Sequence, residues 1–551
     1  MLYLRTMKSN APIRKMLLLA LCSAVLMSLP FLVKGSGLLA LVGLVPLLCL
    51  DKIASDLRLK KVWRWHFGTF LLWNTLSVFW ICNATLGGGI AAIVANAFQM
   101  SLIFGLVRAS KKIFKGVLPY IFLTVMWIAW ERWYYGTQIS FPWLVLGNAF
   151  AGNTPLVQWY EFTGTLGGSL WIWACNLTVF GLLVALSEGR FACWTKWARR
   201  YCAAGTALLF LGPIILSLTI YYRLGKEEPK ETLDVIIAQP NLDPYSKFFG
   251  LSQDTQNAIA GNLIKQGLSQ LDSTSEACLI LTPETFTRYI PTNNPSLDRT
   301  VRLMNGLCQK RPGTNIMLGA ATKTFYQSPI APSLLAWPAG EGMWMETHNS
   351  ALMLDGSPNS QIYHKSKLVI GTELTPYPKI FVPIDNLLGG VMARDVGQPE
   401  ISLLNVHTAS GGEIPIGCAI CYESVYGEYC TDYVRKGARA MTIITNDAWW
   451  GDTPGYRQHF SYARLRAIEL RRDIARCGNT GISGFINSRG DIIEKGPWWE
   501  ETVMTGKIAL RDNQTFFVKA GDVPGRVCTL FFVLLFMAMI ARRLIPENLR
   551  K

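Results

Sequence analysis

The stretch IGCAICYESVYG, residues 416–427, runs from small and β-branched apolar residues straight into Cys421-Tyr422-Glu423, with a second cysteine, Cys418, three positions upstream. Such a run reads as a short buried strand ending at a turn. A thiol at a strand end is displayed, and the backbone N–H of the next residue lies beside it, which suits a nucleophile with an oxyanion donor. Plainer readings compete. Cys421 is also the kind of small residue that fills a core. A zinc site built on Cys418 and Cys421 needs two further ligands, and Cys430 and His407 form no second paired motif. A thioredoxin-like dithiol opens a helix, whereas on a strand two side chains three apart point to opposite faces.

Outward from this stretch, residues 231–510 alternate strands with helices. TLDVIIAQPN, ACLILTPET, NIMLGAAT, IPIGCAICYE and ARAMTIITND are β-rich runs closed by polar or turn residues. HNSALMLDGSPNSQIYHKSKLV and ISGFINSRGDIIEKG read as hairpins around glycine-containing turns. From Tyr456 to Arg476 the spacing predicts a helix: Phe460, Ala463, Ala467, Leu470 and Ile474 form one apolar stripe and the arginines take the other faces. The order is that of an α/β domain.

Two further strand ends carry chemistry. Glu284, in ILTPETF, either caps the following segment or serves as a desolvated general base if a thiol comes near. Lys365, in YHKSKLVIGTE, is either one more solvated lysine or, beside a cysteine and a carboxylate, a charge that stabilises an oxyanion.

The rest of the chain is of another kind. Half of its 551 residues are hydrophobic and 16% are charged, too apolar for an ordinary soluble enzyme. Apolar runs at Met16–Val33, Leu38–Leu50, Phe67–Cys82, Gly89–Val107, Val117–Trp130, Leu166–Leu186, Ala203–Tyr222 and Val527–Ile540 predict eight membrane spans, seven of them before residue 223. The first is read as a retained span and not as a cleaved signal peptide, because another apolar segment follows it almost at once.

The net charge of +16 does not indicate nucleic acid. Residues 223–525 hold 29 Lys and Arg against 31 Asp and Glu, while the remainder holds 24 against 6. That basic excess sits on alternate loops, which predicts that both termini face the cytoplasm and the large block lies outside, in the periplasm of a bacterial inner membrane. The expected organisation is a seven-helix membrane region at 1–222, a catalytic domain at 223–525, and a last helix with its tail at 526–551. Thirteen cysteines, several of them in the spans, give no disulfide framework.

The order Glu284, Lys365, Cys421, with PE at one strand end, Y-x-K-x-x-L-V followed by a glutamate, and I-C-Y-E, resembles the nitrilase, or carbon–nitrogen hydrolase, superfamily. With seven preceding spans and one following, it looks like the apolipoprotein N-acyltransferase branch. FPWLVLG at 141–147, NDAWWGD at 446–452 and the segment from Arg457 to Ile492 are similar to that branch as well. The resemblance implies an αββα sandwich attached to a membrane bundle. It implies a Cys421 nucleophile, Glu284 as general base and Lys365 as oxyanion stabiliser, supported by Glu373, Tyr422 and Glu423, with Phe248, Trp449 and Trp450 as substrate-lining candidates. It further implies a phospholipid acyl donor, a diacylglyceryl apolipoprotein acceptor, a thioester intermediate, a monomer, and no metal, nucleotide or redox cofactor. The chain departs from the family pattern at Ile370-Gly371-Thr372, at Pro240 and Phe248, and at GNTG, 478–481. A membrane-anchored amidase and a catalytically silent lipid- or lipoprotein-binding protein are the competing readings.

Overall fold

A computed structural model describes residues 2–544 except 245–246, 248–249, 273–274, 388–389 and 391, with side chains described from residue 11 onward. The chain divides into two units, Met1–Arg223 with Ala520–Lys551, and Leu224–Lys519.

In the second unit the period of two along each strand sets the architecture. The strands are β1 (Glu231–Gln239), β2 (Cys278–Leu281), β3 (Thr287–Pro291), β4 (Thr314–Gln327), β5 (Trp337–Gly340), β6 (Met343–Leu354) and β7 (Gln361–His364). They continue with β8 (Leu404–His407), β9 (Glu413–Ile420), β10 (Ala440–Thr445), β11 (Ile474–Gly478), β12 (Gly484–Ile486), β13 (Ile492–Lys495) and β14 (Thr502–Leu510). One sheet has the order β14-β1-β2-β4-β6-β5, with β3 on β4 and β7 on β6; the other runs β13-β12-β11-β10-β9-β8. Leu233, Val235 and Ile237 of β1 pack with Ile416 and Cys418 of β9 and Ile443 of β10 in one core between the sheets. The alternate residues Ile236 and Ala238 pack instead against Leu263 and Ile264 of helix Gln253–Gln270 and Val301 and Met304 of helix Arg299–Cys308. Helices Gly427–Arg435 and Pro454–Leu470 cover the second sheet through Cys430, Tyr433, Phe460 and Ala467. The result is the expected helix–sheet–sheet–helix sandwich.

Both expected hairpins form, β6 with β7 and β12 with β13, each antiparallel. The expected helix at Tyr456–Arg476 is shorter. It ends at Leu470, where Arg471 takes φ +49 as a left-handed cap, and Ile474 belongs to β11. Periodicity carried the helix across this break because the core-facing stripe continues, by coincidence of spacing, into a strand that is buried throughout. The neighbouring arginines are not solvated either: Arg466 and Arg472 are 1% exposed and Arg476 is fully buried.

Among the described residues six helical segments are long and apolar enough to cross a membrane: Ala11–Leu32, Gly37–Asp56, Leu86–Ser110, Tyr160–Ser187, Lys196–Leu224 and Val523–Leu544. Two of the eight expected spans fall short. Trp63–Val78 is a helix of only 16 residues, and Leu118–Gly136 carries Glu131 and Arg132 among its tryptophans and tyrosines. Where the backbone leaves helical geometry, side chains satisfy it, as an apolar medium requires. The segment Gly37–Asp56 breaks at Leu44, whose N–H donates to Asn176 Oδ1 at 2.7 Å while Asn176 Nδ2 donates to Ala40 O at 2.8 Å. The buried loop FPWLVLG is held likewise: Leu146 N donates to Glu131 Oε1 at 2.8 Å, and Tyr160 OH to Gly147 O at 3.0 Å.

Candidate active site

β9 and β10 are parallel neighbours, so the turns that follow them open at the same edge of the sheet. Cys421 begins the turn after β9 and adopts φ +50, a conformation that residues with a Cβ rarely take. Glu284 follows β2, and Thr285 beside it also has positive φ, +47. Gly319 on β4 permits the approach: a Cβ there would meet the Pro283 carbonyl oxygen at 2.1 Å. Lys365 follows β7, and its N–H donates to the carbonyl of Asn349 on β6 at 2.8 Å.

These placements bring three of the expected residues into one buried group. Lys365 Nζ donates to Glu284 Oε1 and to Glu373 Oε1, both at 2.9 Å. Asn349 Nδ2 bridges the same two oxygens at 2.7 Å each, Asn446 N–H donates to Glu284 Oε2 at 3.0 Å, and Val369 N–H to Glu373 Oε2 at 2.7 Å. Lys365 is 1% exposed and Glu284 5%, so these charges are exchanged with one another and not with water.

The neighbouring charges set the protonation of Glu284, Lys365 and Cys421. Burial works to raise the Glu284 carboxyl, but the Lys365 charge, with hydrogen bonds from Lys365, Asn349 and the Cys421 thiol, outweighs it and holds the carboxyl below its ordinary range. Burial works against the Lys365 ammonium, yet Glu284 and Glu373 hold it well above the usual lysine value. Burial and the Glu284 charge together push the Cys421 thiol well up, against the opposing pull of Lys365. The resting site is therefore a protonated thiol beside an ionised carboxylate that accepts its hydrogen bond.

Glu423 ties the cysteine turn to the lysine loop. Its Oε1 accepts from Tyr363 OH at 2.7 Å, Tyr429 OH at 2.8 Å, Ser366 N at 2.7 Å and Lys367 N at 3.2 Å, and its Oε2 accepts from Ile420 N at 2.8 Å. With Tyr433 OH, which donates to Oε2 at 3.4 Å, six donors converge on one buried carboxylate. Replacing it with glutamine turns an amide N–H₂ toward some of them, so Glu423→Gln is expected to cost about 3 kcal/mol and to lower the midpoint of thermal unfolding of the detergent-solubilised protein by several degrees.

The remaining expected residues are placed less centrally. Tyr422 packs edge-on against Tyr426, with ring centroids 5.2 Å apart. Trp450 packs against the core and edge-on to His459 at 5.6 Å, while Trp449 is exposed. Phe248 lies outside the described residues. Cys418 is buried in the core between the sheets.

Sequence reasoning missed Asn349, Asn446, Asp447, His459, Arg476 and Lys247. Lys247 is 3% exposed, with Nζ 3.4 Å from the Glu284 carbonyl oxygen, and burial lowers it to about 7. The signal for Asn446 and Asp447 was present in NDAWWGD, a polar pair at a strand end, but nothing in a single sequence pairs β10 with β9.

The sandwich and the buried glutamate–lysine–cysteine group define a carbon–nitrogen hydrolase domain, and residues 252–516 match the model of that family, "Carbon-nitrogen hydrolase". Residues 23–178 match a second model, "Apolipoprotein N-acyltransferase N-terminal domain". Along nearly its whole length the chain is similar to apolipoprotein N-acyltransferases. It is 28% identical over 524 residues to the apolipoprotein N-acyltransferase of Chlorobaculum tepidum, covering 92% of each chain. It is 27% identical over 535 residues to that of Geobacter metallireducens, covering 94% of this chain and 93% of the other, and 27% identical over 532 residues to that of Haemophilus influenzae, covering 92% of each.

Proposed function

We propose that the protein transfers a fatty acyl chain from a phospholipid to the N-terminal α-amine of diacylglyceryl-cysteine in apolipoproteins, through a thioester on Cys421. As Sγ attacks the ester carbonyl, Glu284 takes the thiol proton and Lys365 stabilises the developing oxyanion. The tetrahedral intermediate collapses with cleavage of the ester C–O bond, and Glu284 returns the proton to the departing lysophospholipid oxygen. In the second half-reaction the α-amine attacks the thioester, Glu284 accepts a proton from it, the C–S bond breaks, and the proton returns to sulfur. One site serves both substrates in turn, which gives ping-pong kinetics.

The observation that carries this reading is the buried junction of Lys365 with Glu284 and Glu373, 2.9 Å to each, beside a protonated thiol. The names of the relatives supply the substrate class. In the same reading Trp63–Val78 and Leu118–Gly136 join the six apolar helices as spans, giving eight. Both termini are cytoplasmic, domain 223–525 is periplasmic, the membrane is a bacterial inner membrane, and the protein works as a monomer. Trp449 and Trp450 line the acyl entrance, and Glu373 orients Lys365.

Intact-protein mass spectrometry after exposure to phospholipid tests the proposal. Wild type and Cys418→Ser are expected to gain one acyl mass and Cys421→Ser none. Addition of a diacylated lipopeptide should discharge the acyl group onto the peptide amine. Release as free fatty acid without transfer would favour an amidase-like hydrolase instead.

A further inference from the structure

Beside the thiol lies a second buried charged group that the Glu284 and Lys365 chemistry does not use. His459, on helix Pro454–Leu470, has Nδ1 2.9 Å from Asp447 Oδ1, and Nε2 3.1 Å from the Cys421 carbonyl oxygen and 3.0 Å from Ser424 Oγ. Arg476, on β11, donates to Asp447 Oδ2 at 2.6 Å, and its guanidinium also lies 3.1 Å from His459 Nδ1. Thr445 donates its hydroxyl to Asp447 Oδ1 at 2.6 Å, and Ser424 donates to the Cys421 carbonyl at 2.7 Å. Ligand-type atoms of Cys421, Asp447 and His459 all fall within 4.8 Å of one another. Both ring nitrogens and both carboxylate oxygens are thus already engaged within the protein.

Burying three ionisable side chains is costly, and apolar residues of the same volume would stabilise the fold as well or better. What this group reaches is specific: the carbonyl of the residue held at φ +50. A peptide plane in that region is strained and turns unless its surroundings hold it.

We propose that Asp447, His459 and Arg476 form a positioning relay for the nucleophile. Arg476 orients Asp447, Asp447 orients the imidazole, and the imidazole with Ser424 fixes the Cys421 carbonyl, so the strained turn presents Sγ to Glu284 and to the ester in one geometry. The relay acts through Cys421 and rests on the reading of that residue as the nucleophile. A displacement of about 1 Å at a reacting atom costs on the order of 100-fold in rate, so the relay governs the rate of acylation and not the affinity for lipid.

The test measures single-turnover acyl-enzyme formation by intact mass, at varied phospholipid, on the full chain in mixed micelles. Glutamine at 459 places an amide N–H near the position of Nε2, whereas asparagine reaches Asp447 and stops short of the Cys421 carbonyl. His459→Asn is expected to lower the maximal acylation rate about 100-fold with the half-saturating phospholipid concentration unchanged within about two-fold, and His459→Gln to recover about ten-fold of that loss. Equal losses in the two variants, a loss confined to half-saturation, or an Asn variant as fast as wild type would overturn the relay. Alkylation of Cys421 by iodoacetamide in Asp447→Asn reports without substrate: loss of the Asp447 charge by itself makes the thiol easier to ionise and would speed the reaction, so a net slowing, expected at about ten-fold, marks lost positioning, and an unchanged or faster rate counts against the relay even if the His459 variants do not fold. Cys421→Ala separates the two levels, since persistent acylation there removes the nucleophile assignment itself.

Discussion

Lys365→Met is expected to reduce acyl-enzyme formation by about three orders of magnitude or more, the loss falling on the maximal rate. Lys365 has two tasks at one atom. It is the charge that outweighs burial at Glu284, and in the proposed reaction it is the donor to the oxyanion formed at Cys421. Without it, the buried Glu284 and the partly buried Glu373 are bridged only by Asn349 Nδ2, and two like charges this close cannot both stay ionised near neutral pH. One carboxyl takes up a proton; when that is Glu284, it can no longer accept one from the thiol. Loss of a general base costs about 10²–10⁴-fold and loss of an oxyanion donor about 10²–10³-fold. Because the two act as a unit, the combined loss is far less than their product. Arginine should rescue little, since a planar guanidinium does not replace a compact ammonium held between two oxygens. Rapid-quench acylation followed by intact mass gives the rate, and a melting curve on the same sample establishes folding. A rate within about ten-fold of wild type would show that Lys365 is structural.

How much of this site can be read from residues alone depends on the distance over which each constraint acts. Strand identity is local: the five β-rich runs correspond to β1, β2, β4, β9 and β10 because each is a short apolar stretch, largely buried on both faces and closed by polar or turn residues. The hairpins were legible for the same reason. The Glu284, Lys365 and Cys421 motifs were legible because each sits at the end of such a run, and their order resembles a family pattern. The partners that tune them were not. Asn349 lies inside β6 and is indistinguishable in sequence from any polar residue on a half-buried face, yet it bridges two carboxylates 65 and 24 residues away. His459 sits on a helix whose apolar stripe draws attention away from it, and its role depends on Asp447 and the Cys421 carbonyl arriving from two other segments. The buried arginines had no local signal either. Charge predicts solvent, and only the pairing of β10 with β11 puts Arg476 beside Asp447.

Glu284→Gln gives the sharpest separation of base from charge. The amide is nearly isosteric with the carboxyl and its oxygen can still accept from Lys365, but it cannot accept the thiol proton. Acyl-enzyme formation is therefore expected to fall about 10³-fold. The thiol itself should move the other way. In wild type, burial and the Glu284 charge hold Cys421 well above its ordinary value while Lys365 pulls it down. Removing the negative neighbour leaves the ammonium, so the thiol becomes easier to ionise, and iodoacetamide should alkylate Cys421 at lower pH in Glu284→Gln than in wild type. In Lys365→Met the sign reverses: at the alkaline pH where the thiol titrates, Glu284 has lost any proton gained near neutrality while the stabilising cation is gone, and alkylation should shift to higher pH. Both variants lose acyl transfer, yet their alkylation profiles move in opposite directions, a pattern that general unfolding of the site cannot produce. Profiles measured from pH 6 to pH 10 by peptide mapping of the Cys421 adduct decide the matter. Coincident profiles, or shifts of the same sign, would mean that the thiol does not sense Glu284 and that the base must be sought elsewhere.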